Sequence, residues 1–184
     1  LMLHGSLPVS DYALDYMLFG EVVEDQEEDE YDLPFERVFG GRIALSKQWN
    51  IGISALSFRE KNIGALSGQD KNYRMLGLDF VTHIGDTELS GEGFARFTSN
   101  GGDGGSGAYL QTAVPLNGLG LKDWFWLTRL ETLQRPDEGS SERWLTGATW
   151  RVKPTHLLKL EFAGGSGNQP EAPRGFIASY AFFF

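Results

Sequence analysis

Apolar and polar residues alternate along most of this chain with a period of two, the repeat of a β-strand whose faces meet different surroundings. In 155–163, Leu158, Leu160 and Phe162 share one parity while Lys159 and Glu161 hold the other. In 87–98, Leu89, Gly91, Gly93, Ala95 and Phe97 oppose Glu88, Ser90, Glu92, Arg96 and Thr98. The same split sets Trp124, Trp126, Thr128 and Leu130 against Arg129 and Glu131, and Tyr12, Leu14, Tyr16 and Leu18 against Asp15 and Glu21. About eleven segments have this character: 1–9, 11–23, 36–47, 49–60, 72–84, 87–98, 107–115, 121–134, 142–152, 155–163 and 174–184. Gly and Ser blur the faces of 36–47 and 49–60. Helical periodicity is nearly absent.

Segment length changes the picture next. Strands of soluble proteins run about five or six residues, and most of these segments are about twice that. Ten residues tilted near 45° rise about 24 Å, the height of the apolar band of a membrane barrel. The connections alternate in length. Short ones lie near 10, 47–49, 85–86 and 153–154, with a slightly longer one at 117–120; long ones are 24–35, 61–71, 99–106, 136–141 and 164–173. Short periplasmic turns and longer extracellular loops would produce this alternation. No segment approaches the roughly 18 to 20 continuous apolar residues of a transmembrane helix. The pattern predicts an all-β fold, an antiparallel up-and-down transmembrane β-barrel, with 1–184 forming a single barrel region.

Cost then assigns the faces. A Lys or Arg at mid-membrane on the lipid side of a barrel costs roughly 2–4 kcal/mol, so the charged parity must face the lumen. The predicted pore-lining set is Asp15, Arg42, Asp79, Glu88, Glu92, Arg96, Arg129, Glu131, Arg151, Lys159 and Glu161. Barrel aromatics gather in girdles at the two interfaces. Tyr12, Trp49, Trp124, Trp126, Trp150, Phe182 and Phe184 fall near the short-turn end, and Phe39, Tyr73, Phe97, Trp144 and Phe176 toward the long-loop end.

Composition adds exclusions. The hydrophobic content of 41% would suit a soluble protein, since alternating strands average to neutral. Segment 24–32 (EDQEEDEYD) holds seven acids and no base, and without it the net charge of −9 becomes −2. It reads as a solvated extracellular loop, not a cation site. The scarcity of basic residues interleaved with aromatics argues against nucleic acid. With no Cys there is no disulfide or thiolate chemistry. The stretch GGDGGSG at 101–107 occurs once, without the tandem copies of a calcium-binding repeat, and reads as a flexible loop. His4, His83 and His156 follow no catalytic motif, so neither an enzyme nor any cofactor or metal is expected. The opening LMLHGSLPVS lacks the basic and apolar regions of a signal peptide.

The final segment RGFIASYAFFF resembles the C-terminal signature strand of Gram-negative outer-membrane proteins, with Phe176, Ala178, Tyr180, Phe182 and Phe184 at its alternating apolar positions. The resemblance implies recognition by the barrel assembly machinery, with Phe176, Tyr180, Phe182 and Phe184 as the assembly signal. The hairpins LMLHGSLPVSDYALDYMLFG, RMLGLDFVTHIGDTELSGEGFAR and WLTGATWRVKPTHLLKLEF are similar to those of the phosphate-selective porin family. That resemblance implies a barrel of about sixteen to eighteen strands, usually a homotrimer, lying among outer-membrane lipids and lipopolysaccharide. Phosphate selectivity is not carried over, because the inward set mixes both charge signs.

The expected function is a porin-type channel of the outer membrane for passive diffusion of small hydrophilic solutes or ions; the alternative is a non-conducting barrel serving as scaffold or conduit for a partner protein, or a plugged transporter. If the last strand ends in the periplasm, an odd count of about eleven starts the first strand outside, whereas barrels normally have an even number. The expectation is a C-terminal portion preceded by roughly five to seven further strands. Leu158→Arg should then destabilise the folded barrel by about 2–4 kcal/mol, while Lys159→Ala is tolerated. Urea titration in lipid vesicles checks the pair, and equal tolerance would reverse the facing.

Overall fold

The computed structural model describes residues 1–21, 35–60, 71–136, 139–166 and 174–182. Eleven strands form one sheet in sequence order, each hydrogen-bonded to its neighbours in the chain. They are β1 Met2–Val9, β2 Tyr12–Gly20, β3 Phe35–Ser46, β4 Asn50–Glu60, β5 Lys71–Ile84, β6 Thr87–Thr98, β7 Asp103–Pro115, β8 Trp124–Arg135, β9 Gly139–Lys153, β10 His156–Ser166 and β11 Gly175–Phe182. A 3-10 turn, Asn117–Leu119, interrupts the connection after β7. No described helix is long and apolar enough to cross a membrane. Two compact units are distinguished, Leu1–Asp79 with Gly93–Ser106, and Phe80–Glu92 with Gly107–Phe184.

Within the first unit the antiparallel registers fix the faces. Leu7 faces Leu14, Leu14 faces Leu45 and Leu45 faces Ile51, which draws one apolar row across four strands. The intervening residues run Ser6, Asp15, Ala44 and Gly52, a row of small and polar groups. The two segments with blurred faces are therefore ordered: Phe39, Ile43 and Leu45 share a face with Ile51 and Ile53. A register shift between Glu36 and Phe39, with Arg37 at φ 53°, switches the parity near the start of β3. It lets Phe35 pack edge-on against Phe58, on the opposite face from Phe39.

In the second unit Trp124 pairs with Trp150, Trp150 with Leu158 and Leu158 with Tyr180. Arg129, Glu131, Lys159 and Glu161 hold the other parity. Trp126 is 45% exposed and Leu130 56%, while Arg129 and Glu131 between and beside them are half-buried. A soluble sandwich would reverse this, sheltering the large apolar groups and wetting the charges. Only Ala44, Phe58, Tyr73 and Ala163 are buried among the described hydrophobic residues, so the sheet has no apolar core of the soluble kind.

Some expectations are corrected. The stretch 101–107 is mostly strand, since β7 begins at Asp103. The connection between β6 and β7 shrinks to 99–102, while that between β7 and β8 spans 116–123, so the short-long alternation fails there. Glycine explains the extension: a Cβ on Gly104 would stand 2.8 Å from the carbonyl oxygen of Arg96, too close for any side chain. The bare backbone packs against β6, and Arg96 Nε donates to the Gly104 carbonyl at 2.6 Å. Tyr73 does not join the outer aromatics; it lies against Phe58 on the polar face. The acidic segment 24–32 and Phe184 lie outside the described residues. Gly104→Val should cost about 1–3 kcal/mol of stability by overpacking, whereas Gly118→Ala, whose Cβ would meet nothing within 4 Å, should be near neutral. Denaturant midpoints of the two variants measure the difference.

Candidate functional site

The chemistry-bearing side chains lie on the polar face, and each unit arranges them differently. In the first unit a hydrogen-bonded chain runs across β2, β3, β4 and β5. Ser46 donates to Asp15 at 2.9 Å, and Asn50 Nδ2 donates to Ser46 at 2.6 Å. Arg42 Nη2 then donates to Asn50 Oδ1 at 3.1 Å, and Arg42 grips Asp79 in a two-pronged pair with Nε to Oδ2 at 2.9 Å. Such bidentate guanidinium-carboxylate pairs are among the stronger polar contacts available to a protein.

Arg42 stands on β3 and Asp79 on β5, with β4 between them. Gly52 is the reason they meet. A Cβ there would stand 2.7 Å from the Arg42 guanidinium carbon and 2.5 Å from Asp79 Oδ2. The missing side chain is the channel through which the arginine crosses the middle strand. Neither partner is fully dry, at 32% and 28% exposure, so the pair keeps contact with water while tying three strands together.

Nearer the end of the unit away from the 47–49 turn, Arg96 lies 4.4 Å from the ring centre of Tyr73 and 4.0 Å from a Glu60 oxygen. Tyr73 in turn packs on Phe58, and both are buried. The guanidinium is thus held over a ring face, a cation–π arrangement, with an acid alongside.

The second unit gathers its charges about Glu131. Arg129 Nε lies 2.6 Å from one carboxylate oxygen of Glu131, and Arg143 Nη1 lies 3.5 Å from the other. Arg129 also covers the Tyr109 ring at 3.7 Å, and Arg151 lies 5.7 Å from the centre of Phe125. Lys159 stands between Thr149 and Ser179, and Glu161 between Gly147 and Ile177. Glu88 approaches His83 at 3.9 Å, and Glu92 shares its parity on β6.

The structure therefore brings Asp15, Arg42 and Asp79 into one network and Arg129 and Glu131 into another, while Lys159, Glu161, Arg151, Glu88 and Glu92 stand in neither. Sequence reasoning missed Ser46, Asn50 and Arg143. Arg143 was detectable, since it is eight residues before Arg151 and so shares its parity. The bridging roles of Ser46 and Asn50 depend on cross-strand register and carry no local signal. On the other face Phe176 and Tyr180 pair with Phe162 and Leu158, and Phe182 pairs with His156. Among the described residues no group of three or more His, Cys, Asp or Glu is placed to hold a metal.

A double-mutant cycle on Arg42→Ala and Asp79→Ala should give a coupling energy of about 0.5–3 kcal/mol, the range for directly interacting side chains. Gly52→Val should abolish most of it by obstructing the crossing. Additive single effects would show that the pair contributes nothing.

No family model and no curated protein matches the chain. Among solved structures it is similar to the anion-selective porin from Comamonas acidovorans, with 14% sequence identity and a TM-score of 0.61. The match covers 98% of this chain and 54% of that one, so the chain spans about half the length of that porin. At this identity the likeness is one of fold: the chain has the antiparallel up-and-down strand arrangement of a porin-like β-barrel.

Proposed function

We propose that the chain forms part of the wall of a porin-type channel in an outer membrane, passing small hydrophilic solutes or ions by diffusion. The single observation that carries this reading is the inverted distribution of side chains, with large apolar residues exposed and charged residues sheltered on the opposite face. An apolar exterior suits hydrocarbon, and a polar interior suits a water-filled lumen. The likeness in fold to an anion-selective porin supports the channel reading. The named neighbour's anion selectivity is not extended to this chain, nor is phosphate selectivity.

The arrangement of charge favours weak ion selectivity. Arg42 is matched by Asp79, and Arg129 and Arg143 share Glu131. Paired charges of opposite sign largely cancel in the field that a passing ion meets, and what remains biases permeation. Recognition by the barrel assembly machinery through the last strand belongs to the same reading, as does assembly into a homotrimer. No catalytic role is assigned to any histidine.

Planar-bilayer recording tests the proposal. Steady conductance is expected, and silence from correctly inserted protein would favour a scaffold or plugged barrel. Replacing Arg96 and Arg129 together with Glu should move the reversal potential toward cation preference; an unchanged value in a conducting channel would remove both residues from the permeation path.

A further inference from the structure

The apolar face of the first unit contains a hollow of about 900 Å3. Its floor is set by residue size. Leu18 pairs with Gly41, and Gly41 with Ala55, so two small residues stand side by side between larger ones. Leu18 and Leu76 flank them, and toward the 47–49 turn the hollow continues past Ile43, paired with Ile53, to Leu45, Ile51 and Trp49. Phe39 and Arg74 border the opposite side.

The position of Arg74 is unusual for this face. Its neighbour Tyr73 packs on Phe58 beneath Arg96, so strand alternation places Arg74 with Leu76 and Leu78 on the apolar side. Arg74 is exposed. A basic residue on the outer wall costs roughly 2–4 kcal/mol at mid-membrane but only about 0–1 near an interface. Three residues from the start of β5, Arg74 stands toward the strand end, where its cost is small and headgroups are within reach. The guanidinium's planar fork matches phosphate oxygens, while the hollow below is lined mainly by hydrocarbon. An ion alone would leave the hollow unused, and an uncharged chain would leave the arginine without a counterion.

We propose that this hollow binds an anionic, phosphate-bearing lipid, with one acyl chain over Gly41 and Ala55 and the phosphate on Arg74. The proposal rests on the reading that the apolar face meets lipid, and it adds a specific lipid site to that face.

The full-length protein in phosphatidylcholine nanodiscs doped with phosphatidylglycerol provides the test, with native mass spectrometry counting the lipids retained on the ejected protein. Wild type should retain phosphatidylglycerol in preference. Arg74→Gln should lower that retention about fivefold, the contribution of one basic residue at an anionic surface. Arg74→Lys should keep most of it. Ala55→Phe, which fills the floor and leaves the surface apolar, should also lower it. Excess inorganic phosphate should not displace the lipid; displacement would mean that an anion is recognised without its chain, and would overturn the proposal. Equal retention by wild type, Arg74→Gln and Ala55→Phe would likewise overturn it. Failure of the wild type to enter nanodiscs would remove the membrane reading and this site together, whereas insertion without lipid preference would remove this site alone.

Discussion

Successive side chains on an extended strand must point to opposite sides of the sheet, and the rest of this structure depends on that constraint. The ladder satisfies backbone donors and acceptors between neighbouring strands, so a sheet can place side chains against hydrocarbon without leaving its polar backbone unpaired. Once one parity is apolar, the charges at mid-strand fall on the other, and a charge on the apolar side is confined to the strand ends, as Arg74 is. The rows from Leu7 to Ile51 and from Trp124 to Tyr180 follow from it, as do the polar rows beside them.

The polar face is not a uniform wet wall. Arg42 reaches across a strand to Asp79, and Asn50 and Ser46 extend the contact to Asp15. Half-buried charges in water-lined surroundings keep part of their hydration, so pairing them costs less than it would in a dry core. The Arg42–Asp79 pair also ties β3 to β5, two strands that are not bonded to one another. Under the proposed channel reading, stability and permeation would be coupled, because the groups that shape the field over the wall would also brace it.

Aromatics complete the two-sided design. Trp124 and Trp150 stack at 5.2 Å between ring centres, and Trp144, Phe162 and Phe176 form a second run of ring contacts. The polar face has its own rings in Phe58 and Tyr73, with Arg96 above them. Tyr73 was misplaced by grouping aromatics at strand ends; its parity with Asp79 already assigned it to the polar side. The run of glycines at 101–107 misled for a different reason. Glycine marks flexible connections, but it also permits close packing between strands, and only the neighbouring Arg96 backbone distinguishes the two uses.

The strand count, the antiparallel up-and-down order and the parity that Asp15, Arg42, Asp79, Arg129 and Glu131 occupy were legible in the sequence, because each rests on a period-two pattern that is local to its strand. Arg143 was within reach of the same argument. What only the tertiary structure decided are relations between strands: that Gly52 opens a path from Arg42 to Asp79, that Asn50 and Ser46 bridge onward to Asp15, and that Gly41 and Ala55 meet to floor a hollow beside Arg74. Periodicity assigns a side chain to a face, but its partners depend on register and on the size of the residues opposite. Those are set by pairing between distant segments, which no single segment encodes.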